Sequence, residues 1–150
     1  MSHLLNTVKE SNPKDIVGVE KTPFSTISMA VFAEVGVAML EGALKYGRHN
    51  YRSIGVRTSV YVDATMRHVT AYWEGEDIDP DSKISHLTKA ISSLMVLRDA
   101  EIRHKVYDDR PVGTSGFLRE LNLKVKDLLK QYPEPKPPFL ADRKPDEYGE

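Results

Sequence analysis

Four stretches of the chain repeat apolar residues at helical spacing, and this periodicity limits the fold more than any single motif does. At about 100° per residue, Phe32, Val35, Met39 and Ala43 share one face of a segment running from Ser25 or Ser28 to Tyr46. Val62, Met66, Val69 and Trp73 form the stripe of a second segment, Ser59 to Glu74. Ile84, Leu87, Ile91, Leu94 and Met95 form that of a third, Ser85 to Arg103, and read as core. Phe117 to Tyr132 carries a fourth, through Leu118, Leu121, Val125 and Leu128 or Leu129. Ser28 is placed to cap the first helix and Gly47 to stop it in a left-handed conformation. The expected fold class is all-α, because 150 residues suffice for one compact domain with a buried core. The short connection makes the first two helices antiparallel neighbours.

The remainder divides by composition. Asn12-Pro13-Lys14-Asp15 is a turn signal, since proline fixes its own φ and restricts the residue before it. Lys14, Lys21 and Pro23 punctuate a loop or a very short helix, so residues 1–24 read as an irregular arm before a helical domain over 25–132. Residues 105–116 read as a linker. Residues 133–150 hold five prolines and many charges, the composition of a disordered tail. The formal net charge of −1 gives no broad basic field for nucleic acid. The absence of cysteine excludes disulfides and thiol chemistry and fits a reducing cytoplasm. No signal-like N-terminus is seen, no apolar run nears the roughly 20 residues that span a bilayer, and no internal repeat is found.

The polar faces carry the candidate chemistry. Glu34, Ala38, Glu41 and Lys45 lie opposite the first apolar stripe, which sets two carboxylates roughly 10 Å apart along the axis with a small residue between them. The plain alternative is a wetted helix face with Glu41 and Lys45 as an ordinary i,i+4 pair. The loop from Gly47 to Arg57 is basic, with Arg48, Arg52 and Arg57, and the arginine fork suits phosphate. On the second helix Asp63, Arg67, Thr70 and Glu74 share a face. Counting back from the turn sets Asp63 level with Glu41, so Glu34, Glu41 and Asp63 are expected to converge in one groove with Arg67 beside them. His68 points elsewhere. Glu74, Glu76, Asp77, Asp79 and Asp81 put five acids within eight residues, and close carboxylates repel unless a cation neutralises them. Oxygen-only ligands favour Mg²⁺ or Mn²⁺, and the spacing is not that of an EF-hand. The alternative is an acidic turn in which Asp81 or Ser82 caps the third helix. Asp63 and Glu76 stand roughly 20 Å apart on one helix, so they share an ion only if the helix breaks or a second subunit contributes. His86, Ala90 and Ser93 form a small-residue face beneath this turn, where His86 is placed to orient a carboxylate or a base, or to act as a polar cap.

Asn12-Pro-Lys-Asp15, Lys21-Thr-Pro23, Glu41-Gly-Ala-Leu-Lys-Tyr-Gly-Arg-His-Asn-Tyr-Arg52, Tyr61-Val-Asp-Ala64, Arg67-His68, Glu74 through Ser82 and His86 occur in one order. Together they resemble the phage dATP/dGTP diphosphohydrolase family over about residues 11–101. That family is a branch of the MazG-like all-α nucleoside triphosphate pyrophosphohydrolases and includes the MazZ-type enzymes of phages with 2-aminoadenine DNA. The resemblance implies a MazG-like bundle, a homo-oligomer (dimer or tetramer), and Mg²⁺- or Mn²⁺-dependent hydrolysis of dATP or dGTP to monophosphate and pyrophosphate. GTP is a further candidate substrate, supply of dGMP to a modified-base pathway a candidate role, and the host cytoplasm the implied compartment. The superfamily places Glu-x-x-Glu on one helix and Glu-x-x-Asp on the next. Here Val37 stands where the second Glu would fall, Glu41 comes a turn later, and Glu76 and Asp79 keep the second spacing with Pro80 directly after. By groove geometry the catalytic and metal candidates are Glu34, Glu41 and Asp63, with Glu76 and Asp79 as second choices for metal ligands. Candidate phosphate and substrate contacts are Lys14, Lys21, Lys45, Arg48, Asn50, Arg52, Arg67 and His86. Tyr46, Asn50, Tyr51, Tyr61 and His86 are candidates for reading the base. The competing readings are a pyrimidine deoxynucleoside triphosphate pyrophosphatase and a non-enzymatic helical interaction module.

Overall fold

The computed structural model describes residues 12–140 and is predominantly helical. It divides into two compact units, Met1–Arg110 and Pro111–Glu150. The expectations for residues 1–11 and 141–150 lie outside the described residues.

In the first unit, helix α1 (Pro13–Gly18) starts where the turn signal predicted, with the Asn12 side chain accepting from the Lys14 amide at 3.0 Å and proline in the first turn. A 3-10 turn (Phe24–Thr26) leads to α2 (Met29–Tyr46). Ser28 caps α2 by accepting from the Val31 amide, and Gly47, at φ +91°, ends it. After one helical turn, α3 (Asn50–Ser53), and the two-residue strand β1 (Val56–Arg57) comes α4 (Thr58–Trp73). Then follow α5 (His86–Ile102) and strand β2 (Val106–Tyr107), which pairs in parallel with β1. The main helices agree with the predicted ones to within a few residues. The strand pair was not expected, and it adds one small sheet to an otherwise helical unit.

That pair makes the predicted linker a clasp. The Asp109 carboxylate accepts from the Ser59 amide at 2.8 Å and the Ser59 hydroxyl at 2.5 Å, satisfying donors at the α4 N-terminus that no intrahelical partner reaches. Gly55 is required at the crossing. Its φ is +89°, and a Cβ there would stand 2.7 Å from the Lys105 carbonyl oxygen, which accepts from the Val56 amide at 2.9 Å.

The helix packing departs from the expected hairpin. The α4–α5 pair packs most extensively, α2 packs on α5 as well, and α2 and α4 are not close neighbours. Helix α5 is therefore the central element, with α2 and α4 laid against it. The buried residues are small or polar: Val35 and Ala38 on α2, Thr58 and Thr65 on α4, and His86, Thr88, Ala90, Ser92 and Ala100 on α5. Small side chains let helix axes approach closely. The stripe read as core on α5 is partly open instead, with Leu94 49% exposed, and Met66 and Trp73 on α4 are 57% and 82% exposed. Periodicity alone identifies an apolar face but not what covers it.

The second unit holds α6 (Phe117–Gln131), preceded by Gly116 at φ +89°. Its apolar residues Leu118, Val125, Leu128 and Leu129 are exposed. Among the described residues, no helix is long and apolar enough to cross a membrane.

Candidate functional site

Because α2 and α4 lean on α5 without closing on each other, a groove of about 290 Å³ remains between them. Helix α2 supplies Ala38, Glu41, Gly42, Lys45 and Tyr46; α3 supplies Asn50 and Tyr51; α4 supplies Tyr61, Ala64 and His68; and α5 supplies Lys89, Ser92 and Ser93. Small residues on three helices make the room, and the long side chains project into it.

At its centre Glu41 sits between two ammonium groups. Lys45 donates to one carboxylate oxygen at 2.6 Å, one turn along α2, and Lys89 donates to the other from α5. Lys45, then Lys89, holds the Glu41 carboxyl below its ordinary value, against a smaller opposing effect of burial. The groove also gathers three phenols. Burial first, then Tyr46 and Tyr51, raises the Tyr61 hydroxyl above its ordinary value. This arrangement offers two cations to an anion and flat aromatic faces to a ring. Aromatic faces accept a nucleobase by stacking, and paired ammonium groups suit phosphate oxygens.

The other predicted site residues fall elsewhere. Glu34 accepts from the Thr88 hydroxyl at 2.5 Å, one further contact between α2 and α5. Asp63, Arg67 and Thr70 line a hollow formed by α4 alone, so the expected convergence of Glu34, Glu41 and Asp63 does not occur within one chain. The reason is helical phase: that face of α4 stands about 130° around the helix, at 100° per residue, from the Tyr61–Ala64–His68 face that meets the groove. Arg48 borders a separate hollow on α2. Arg52 is engaged by Asp99 through two hydrogen bonds of 2.7 and 3.0 Å, tying α3 to α5. Lys14 and Lys21 are exposed and do not line the groove.

The acidic run closes a turn. Asp79 accepts from the Ser82 hydroxyl at 2.7 Å and the Asp81 amide at 3.3 Å. The Ser82 hydroxyl, with these amides, holds its carboxyl below the ordinary value. The Asp79 amide donates to the Ile84 carbonyl, and Ile78 bridges Ser85. Ser85, rather than Asp81 or Ser82, caps α5 by accepting from the Leu87 amide. Glu76 is bonded at 2.7 Å to Nε2 of His86, which is buried and away from the groove. Among the described residues, no three His, Cys, Asp or Glu side chains gather as a metal-binding group. The described residues of one chain thus offer no self-contained ion cage; Glu34 and Glu41 are the carboxylates of α2 that face α5.

Two groove residues escaped the sequence reading. Lys89 is the single cation on the Lys89–Ser92–Ser93–Val96 face of α5, and a lone lysine on a small-residue face was the available signal. His68 lines the groove instead of pointing away, and its place in the Arg67-His68 block of the resemblance was the available signal.

The family profile described as "dATP/dGTP diphosphohydrolase, N-terminal" matches residues 11–110, a span that ends where the first unit ends. A curated relative from Salmonella phage PMBT28, described as "dATP/dGTP diphosphohydrolase", is 32% identical over 77 residues. The match covers 51% of this chain and 26% of the relative, so the chain spans only about a quarter of that protein. No solved structure matches the chain. With the profile covering the whole clasped helical unit and its groove, the chain belongs to the dATP/dGTP diphosphohydrolase N-terminal family.

Proposed function

We propose that the groove binds a purine deoxynucleoside triphosphate, dATP or dGTP, and promotes attack of water on the α-phosphorus, releasing monophosphate and pyrophosphate. The observation that carries this reading is the meeting of Lys45 and Lys89 with Tyr46, Tyr51 and Tyr61 around one open groove. The lysines take phosphate oxygens and stabilise the charge that builds up in transfer. The tyrosines stack on the base. Glu41 holds the place of an anion between the two lysines. When phosphate takes over those ammonium groups, the Glu41 carboxylate recovers basicity and is free to accept the proton of the attacking water.

Glu34 and Glu41, roughly 10 Å apart along α2, would each offer a carboxylate to a separate Mg²⁺ or Mn²⁺ ion, and such ions would neutralise triphosphate charge. Asp63, Arg48 and Arg67 reach that ligand only if a second copy of the chain brings them to it. A homo-oligomer with a MazG-like arrangement is part of the proposal. Its support is the apolar face on α5 left open at Ile91, Leu94, Met95 and Ile102, since exposed apolar patches of this kind mark interaction surfaces. GTP is a further substrate, and supply of dGMP for 2-aminoadenine DNA synthesis in the host cytoplasm the biological role.

The test is incubation with each of the deoxynucleoside triphosphates and GTP, with Mn²⁺ or Mg²⁺, resolving the products. Monophosphate plus pyrophosphate from the purine substrates is expected. Free phosphate, tripolyphosphate, or a pyrimidine preference would overturn the reading. Glu41→Gln is expected to abolish turnover while leaving the helical circular dichroism intact; an active variant would remove Glu41 from the chemistry.

A further inference from the structure

One chain of hydrogen bonds leads from the acidic turn through the helix interface to the groove, and the groove chemistry described above does not use it. Glu76, half exposed, bonds to Nε2 of His86 at 2.7 Å. His86 is 5% exposed. Its Nδ1 lies 2.8 Å from Nδ1 of His68, with the rings 5.1 Å apart and tilted by 44°. His68 lines the groove.

The protons along this chain follow from its acidic end. A carboxylate only accepts, so Nε2 of His86 carries a proton. A neutral imidazole has one N–H, which leaves Nδ1 of a neutral His86 with a lone pair. His68 must then donate from Nδ1, and its Nε2 is bare. That atom has no protein partner among the described residues, and the unpartnered buried side-chain polar atom among them is Asp77 Oδ1; Nε2 of His68 is therefore open to solvent. Burial, the largest influence on it, holds His68 below its ordinary pKa and so favours the neutral ring.

We propose that Glu76 and His86 lock His68 in the Nδ1–H tautomer, so that it presents its bare Nε2 to the groove as the acceptor for a hydrogen-bond donor on the ligand. This side chain is the groove's ring-nitrogen acceptor beside two lysines that only donate. On dATP the donor is either the amino group of the base or the 3′-hydroxyl of the sugar. The ligand half of this inference rests on the function proposed above; the tautomer half does not.

The two halves are read separately. In the ligand-free full chain with 15N-labelled histidine, long-range proton–nitrogen correlation spectra report which ring nitrogen carries hydrogen, and His68→Phe assigns the signals. Nδ1–H on His68 and Nε2–H on His86 are expected. Nε2–H on His68, or a doubly protonated His86 at neutral pH, would overturn the proposal whatever the protein hydrolyses. Glu76→Met is expected to lower the Nδ1–H population of His68; unchanged populations would refute the locking role. For the ligand, His68→Phe is expected to raise KM for dATP roughly tenfold, the worth of about one hydrogen bond, with kcat little changed, and His68→Gln, which still accepts, to fall between. Loss of that KM difference with the 3′-deoxy analogue assigns the donor to the sugar, and loss with the analogue lacking the amino group assigns it to the base. A KM unchanged by His68→Phe would overturn the acceptor role.

Discussion

The groove and the acidic turn are both built around carboxylates, and they use them in opposite ways. In the turn, Asp79 and Glu76 are satisfied from within, by the Ser82 hydroxyl, backbone amides and His86. In the groove, Glu41 is held by two ammonium groups from different helices, so its partners can be exchanged for an incoming anion. The density of acids along the chain pointed to the turn. The chemistry follows instead from which side chains of separate helices face one space, and a turn can spend several carboxylates on its own backbone.

The comparison breaks most sharply at Lys89. Removing it by Lys89→Ala takes one of two cations from the groove, and turnover should fall about 100-fold or more, the usual scale for a lost charge stabiliser. Steady-state kinetics on a variant with unchanged circular dichroism would check this. Wild-type turnover would mean that the groove is no more catalytic than the turn. Next in size, Tyr61→Ala should raise KM roughly tenfold with a smaller change in kcat, as expected when a stacking platform worth about 1–3 kcal/mol per base is lost. Equal losses in kcat and KM for a substrate and its base-free triphosphate would argue that Tyr61 does not meet the base.

On the other side of the comparison, Asp79→Ala should leave turnover near wild type and cost about 1 kcal/mol of stability through its lost hydrogen bonds, read from the urea midpoint. A large loss of activity at unchanged stability would move the chemistry back to the turn. The smallest effect is acid sensitivity, which both regions share. Glu41 and Asp79 are held below their ordinary values of 4.5 and 3.8. A carboxyl depressed in the folded state adds stability above its unfolded pKa and loses it as pH falls through the folded value. The urea midpoint should therefore drop as pH is lowered from 4.5 through 3.8 and below, and Glu41→Gln should flatten the upper part of that drop. An unchanged pH profile in the variant would show that the two lysines do not hold Glu41 in solution.

The helices were legible because their causes are local. Ser28, Gly47 and the apolar period set α2 within a few residues of where the sequence places it. The groove was legible in part: Glu41, Lys45, Asn50 and three tyrosines meet there. Asp63 and Arg67 miss the groove because the first two helices are not close neighbours and α4 meets α5 through Thr58, Thr65 and their neighbours, which turns the Asp63–Arg67 face away. The parallel strand pair and the Asp109 clasp had no local signature, since each joins residues some 50 positions apart.

By itself, the sequence determined the helices, their ends and the family resemblance, because caps, turn glycines and 3.6-residue periodicity act between near neighbours. Only the tertiary structure decided which helix is central, which face of each is covered, and hence that Lys89 and His68 join Glu41 while Asp63 does not. Rotating a helix about its axis changes none of its internal hydrogen bonds, so the phase of each face is set by packing against the others.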